Sequence, residues 1–103
     1  MVVVLNPNEV VLKAGDTNQV FENNKIDGKL IVTNQRLYFK AVKTGLEKFN
    51  LEIMFDNILE VIYYSNGFLV NTKGLNVVTR DGRTFAFPLK QRDEFGQLIN
   101  SMY

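Results

Sequence analysis

The chain has 103 residues, 46% apolar and 22% charged, with twelve basic and eleven acidic side chains and a net charge of +1. That is one domain of ordinary globular composition, able to bury roughly two thirds of the surface its unfolded chain exposes. It lacks the basic excess of a dedicated nucleic-acid binder. It has no cysteine and no histidine. This excludes disulfides, zinc-thiolate sites and the usual Ser-His and Cys-His nucleophile arrangements.

Met1–Leu5 is apolar but far too short to span a bilayer, and it has no basic region or cleavage site of a signal peptide. It reads as a first strand or an arm packed on the body. The sharper reading is an arm that adds to another subunit's sheet edge. Between Glu9 and Phe21 one strand is expected, around Val10–Lys13 or Gln19–Glu22.

Lys29–Thr33 and Arg36–Ala41 are two apolar runs separated by Asn34-Gln35. They predict a tight hairpin, with Asn34 tolerating the left-handed conformation. Phe49–Ile53 alternates cleanly and predicts another strand. From Ile58 to Leu89, Asn66-Gly67, Lys73-Gly74 and Asp81-Gly82 punctuate apolar runs, which predicts a four-stranded antiparallel meander. Its core faces are expected to carry Leu75 and Val77 on one strand and Phe85 and Phe87 on the next. Pro88 closes the last strand.

Phe95, Leu98, Ile99 and Met102 lie 3, 4 and 7 residues apart, one face of a helix. Asp93 and Glu94 favour its first turn through the helix dipole. Gly96 costs the helix about 1 kcal/mol relative to alanine, and close packing of helix on sheet explains it. The helix must bury its stripe on the strands. The expected architecture is therefore mainly β: about seven antiparallel strands in two packed sheets or a partly open barrel, closed by a C-terminal helix.

That arrangement describes the pleckstrin-homology-like fold, and the chain resembles its GRAM-domain branch. The resemblance rests on Gly28-Lys29-Leu30-Ile31-Val32-Thr33-Asn34-Gln35-Arg36-Leu37-Tyr38-Phe39, similar to that family's G-x-L-x-x-T-x-x-R-L-x-F hairpin. Ile58–Val61, Thr79–Phe87 and Arg92–Phe95 support it, and together these segments cover roughly residues 20 to 100. Gly28 is expected to let the backbone enter the strand from a turn. Thr33 is expected to bond turn backbone, and Arg36 to lie across a sheet face or pair with a carboxylate such as Glu60. The resemblance implies binding, to membranes and phosphoinositides or to protein partners. The Lys-x(n)-Lys/Arg-x-Arg motif of inositol-phosphate-binding relatives is absent from the early hairpin. Lys90-Gln91-Arg92 has the short spacing but lies at the start of the helix.

The basic residues nearest the superfold's ligand loops are Lys25, Lys29, Lys40, Lys43 and Lys48, candidates for anionic lipid or a partner or else a solvated rim that protects sheet edges. Glu22, Asp27 and Glu47 dilute them. Residues 22–34 make a poor calcium loop, with Lys25 among the ligand positions and Asn34 where a bidentate Glu is needed. Asp56 and Glu60 are carboxylates without a histidine, with only Ser65 and Ser101 as serines, so no enzyme and no cofactor are expected. Tyr63, Tyr64, Phe68 and Tyr103 form an aromatic surface candidate, with cross-strand pairing of Phe68 as the plainer account. Two functions are thus expected. The first is a non-catalytic module engaging a membrane surface or a protein partner, cytoplasmic and peripheral to the membrane. The second is a self-associating structural protein, through Met1–Leu5 or a sheet edge.

Overall fold

A computed structural model of the chain describes residues 3–66 and 72–103. Its strands are β1 (Val11–Phe21), β2 (Asn24–Thr33), β3 (Arg36–Ala41), β4 (Leu51–Met54), β5 (Ile58–Asn66), β6 (Thr72–Thr79) and β7 (Thr84–Pro88). One helix, α1 (Arg92–Asn100), follows them. The first four strands form one antiparallel sheet in the order β1-β2-β3-β4, and the last three a second in the order β5-β6-β7. No ladder joins the two sheets among the described residues, so this is a pair of packed sheets rather than a closed barrel.

The two alternatives for the first strand merge into one. β1 runs for 11 residues straight through Gly15, which looks like a breaker in sequence. A Cβ at Gly15 would lie 2.9 Å from the Phe95 ring, so the glycine serves the approach of α1 rather than a turn. Val3–Leu5 forms no strand, which corrects the first-strand reading; Met1 and Val2 lie outside the described residues.

The hairpin of β2 and β3 turns at Asn34-Gln35 as expected, with Val32 opposite Leu37. Its turn chemistry differs from expectation. Asn34 does not have positive φ; Asn8, Glu22 and Asn23 do. Instead the Asn34 carboxamide accepts from the Val10 N–H at 2.8 Å and donates to the Asn8 carbonyl at 3.0 Å, tying the N-terminal segment to the hairpin. Glu22 and Asn23, both left-handed, form the β1–β2 turn, as a type I′ hairpin requires.

Among the described residues, the segment from β5 to β7 pairs as a three-stranded meander. Lys73-Gly74 is no turn: Gly74 lies inside β6, opposite Tyr64 on one side and Pro88 on the other. A Cβ there would overlap the Phe87 carbonyl and the Tyr64 ring. Asp81-Gly82 does turn, with Gly82 at φ +90°. The expected turn at Asn66-Gly67, the strand after it and any Phe68 pairing fall on residues outside those described.

The core lies between the two inner faces. Leu75, Val77 and Phe87 are fully buried and Phe85 half-buried, as their alternation predicts. Phe95 and Ile99 are buried in the same core, with Leu98 packed against it. Gly96 faces Tyr63 so closely that a Cβ would overlap the phenol, the close packing expected of a glycine in that helix.

Candidate functional site

Arg36 organises one end of the first sheet. Its guanidinium donates to both carboxylate oxygens of Glu9, at 2.8 and 3.0 Å, to Glu52 and to the Val4 carbonyl at 3.0 Å. The Glu9 side chain is wholly excluded from solvent, whereas that of Glu52 is 46% exposed. Thr33 completes the cluster: its hydroxyl donates to Glu9 at 2.6 Å and accepts from the Gln35 and Arg36 N–H groups. Thr33 thus bonds turn backbone as expected. Arg36 pairs with Glu9 and Glu52, not with Glu60, which is exposed on β5 in the other sheet. Its role is to clamp the N-terminal segment, and it has little surface left for a ligand.

The clamp has a pH consequence. Hydrogen bonding from Arg36, opposed by burial and aided by Thr33, holds the Glu9 carboxyl down to about 2. A carboxyl depressed in the fold stabilises it above the unfolded value, near 4.5, and that contribution fades as pH falls towards 2. Denaturant midpoints should therefore drop across that window in the native chain. Glu9→Gln should flatten the drop at the cost of a lower plateau at neutral pH.

The five candidate lysines divide. Lys29 and Lys40 stand opposite each other on β2 and β3, and Lys29 is engaged by Asp16 at 2.5 Å. Lys25, Lys43 and Lys48 are exposed. Phe49 stacks on Phe21 with centroids 5.0 Å apart, so the β3–β4 connection folds against the tip of the β1–β2 hairpin. Lys48 lies 5.2 Å above the Phe49 ring. Val20, 66% exposed, is directly opposite Lys25. Val42, 51% exposed, precedes Lys43 and donates its N–H to the Asp27 carbonyl. Lys25 and Lys48 thus lie beside Val20 and Lys43 follows Val42, with exposed Glu22 and Glu47 at the same end of the sheet. Neither valine is marked as exposed in the sequence, since Val20 lies inside β1 and Val42 directly follows β3, each beside an apolar residue of the same run.

A second feature is an open groove of about 920 Å³ between β1 and the segment from Pro88 to Gln91. Lys29, Lys73 and Lys90 line it with Asp16 and Asp27. Thr17, on its wall, has a buried hydroxyl with no hydrogen-bond partner among the described residues. At its end Lys13 donates to Gln91 at 2.7 Å and lies 5.0 Å above the Phe95 ring, fixing the start of α1. Of the candidate lysines only Lys29 reaches this groove. Lys73 comes from β6 and Lys90 from the turn before α1, and nothing local in the sequence marks either as lining a groove.

Tyr63 and Tyr64 point to opposite faces, Tyr63 towards α1 and Tyr64 over Gly74. Tyr103 is half-exposed and donates to Asn100 at 2.8 Å. Among the described residues no group of three or more metal-ligating side chains occurs, and no helix is long and apolar enough to cross a membrane.

No family model and no curated protein sequence matches the chain. Solved structures do. The C-terminal domain of an unknown protein from Leishmania infantum superposes with a TM-score of 0.78 at 21% identity, covering 93% of this chain and 85% of that one. The Vps36 N-terminal PH domain gives 0.70 at 20% identity, covering 96% and 82%. A pleckstrin homology domain from Shewanella amazonensis gives 0.65 at 14% identity, covering 95% and 86%. The fold is therefore pleckstrin-homology-like.

Proposed function

We propose that the chain is a non-catalytic binding module of the GRAM-like kind, engaging an anionic membrane surface, peripherally and from the cytoplasmic side. The observation that carries this reading is the sheet end where exposed Lys25 and Lys48 lie beside exposed Val20, and exposed Lys43 follows exposed Val42. Lysine near an anionic surface contributes about 1 kcal/mol each, and the aliphatic pair adds apolar area that water would otherwise cover. Lys29, neutralised by Asp16, contributes least. Likeness to pleckstrin-homology structures supports a recognition role for the fold. A protein partner with an acidic face would use the same residues.

Sedimentation with vesicles containing phosphatidylserine tests the reading. Binding should weaken with salt, since exposed charges are screened beyond about 10 Å at 0.1 M ionic strength. Reversing Lys25, Lys43 and Lys48 together to glutamate should reduce vesicle affinity about hundredfold or more, from about 1 kcal/mol per lysine. Val20→Ser should weaken binding without changing the salt slope. Vesicle binding indifferent to both salt and the triple reversal would remove the proposal. Binding to an acidic protein with no vesicle binding would move it to the protein-partner form.

A further inference from the structure

Among the described residues, no strand covers the β5 edge of the second sheet. The Leu89 N–H donates to the Lys73 carbonyl and the Thr79 N–H to the Arg83 carbonyl, so the odd-numbered residues of β6 direct their backbone groups to β7. Gly74, Asn76 and Val78 therefore face β5, and so do the backbones of their register partners Tyr64, Ile62 and Glu60 towards β6. The backbone N–H and C=O of Val61 and Tyr63 are left pointing away from the sheet, along the outer side of β5, which no strand occupies among the described residues.

Strand edges are normally blunted by shortness, lysine, proline or cover. β4, the corresponding edge of the first sheet, is four residues long and carries Glu52. β5 is nine residues long, has neither lysine nor proline, and exposes Leu59 at 50% and Ile62 at 44%. A bulge between Ile58 and Glu60 spoils its first residues for pairing. Arg92, donating to the Tyr64 carbonyl at 3.0 Å, anchors α1 beside its far end. The pairable stretch is centred on Ile62.

We propose that this edge joins a second copy of the chain, β5 against β5, antiparallel about a two-fold axis through Ile62. The occupant follows from self-complementarity. In that register Val61 meets Tyr63 of the second copy, and both exchange their free backbone hydrogen bonds. Glu60 meets Tyr64 of the second copy, and no like charges oppose one another. The outer face that would continue across the axis carries Ile62, Tyr64, Asn76, Val78, Thr84 and Ala86, with Glu60 as its only charge among the strand positions named. A net charge of +1 leaves little long-range repulsion between copies. The proposal gives the self-association expected from sequence a definite surface, away from Met1–Leu5. It does not rest on the membrane reading, whose lysines belong to β2 and the β3–β4 connection.

The chain has no cysteine, so a single introduced thiol reports its own neighbour. In this register Ile62 faces its own symmetry copy in a non-hydrogen-bonded pair, with Cα atoms about 4.5 Å apart, within disulfide range. Ile62→Cys should oxidise to a covalent dimer, whereas Thr84→Cys, exposed on β7 at the opposite edge, should remain monomeric. Sedimentation velocity over a concentration series should show a dimer for the native chain. The dimer should be lost in Ile62→Lys and in Ile62→Glu alone and recovered when those two are mixed. Ile62 is a surface position, so these variants should keep the native circular dichroism. A native chain monomeric at every concentration overturns the proposal. So does a dimer indifferent to both Ile62 charge variants, or Ile62→Cys cross-linking no faster than Thr84→Cys.

Discussion

Arg36→Met should destabilise the fold by about 3–5 kcal/mol, because it leaves the Glu9 carboxylate buried with its charge unpaired. For a domain whose whole stability is about 5–15 kcal/mol, that is a large fraction. Chemical denaturation read as a midpoint shift at constant slope measures it. The partner on the surface should matter far less. Glu52 is nearly half exposed, so Glu52→Gln should cost about 0–1 kcal/mol. Pairing Arg36→Met with Glu9→Leu removes both buried charges and should recover much of the loss. The deficit should also narrow in acid, where the native chain forfeits the contribution of its ionised Glu9. A cost under about 1 kcal/mol for Arg36→Met would show that the N-terminal clamp does not hold the native structure.

The second large effect is expected at Gly28. It lies mid-strand in β2, opposite Thr17 and Ala41, not at the strand entrance where a turn would explain it. A Cβ there would stand 2.6 Å from the buried Phe39 ring and press on the Lys40 backbone carbonyl. Alanine is the better strand former by less than about 1 kcal/mol. Overpacking against a neighbouring strand costs about 1–3 kcal/mol, and the neighbour cannot swing aside, so the collision should win. Phe39→Leu in the same chain should relieve only the ring's share. Gly96→Ala is the contrast. Its obstacle is the phenol end of Tyr63, a side chain 39% exposed rather than backbone, while alanine favours the helix by about 1 kcal/mol. Gly28→Ala should therefore be clearly the more damaging in thermal unfolding. Equal effects would mean that the strand spacing at Gly28 adjusts.

These glycines show where local reading stops. Gly15, Gly28 and Gly74 all stand inside strands, yet in sequence they look like punctuation, and Lys73-Gly74 predicts a turn. A glycine announces that a side chain is unwelcome. Whether the cause is positive φ or a neighbour's close approach depends on residues far along the chain. Asp81-Gly82 is the first case and Gly74 the second. Asn34 is similar: a turn at that position was legible, but its carboxamide works on residues 24 and 26 positions earlier.

What the sequence determined by itself was set by short-range periodicity: mainly β content, the Asn34-Gln35 hairpin, the buried faces of Leu75, Val77 and Phe87, and the buried stripe of α1. Alternation and helical spacing are properties of neighbours, so they survive without coordinates. The tertiary structure alone decided which carboxylates meet Arg36, 27 and 16 residues away. It also decided which lysines lie beside exposed valines, and which strand keeps an open edge among the described residues. Each of these depends on how two sheets register and pack, and a pairing made by distant segments leaves no mark on the residues beside it.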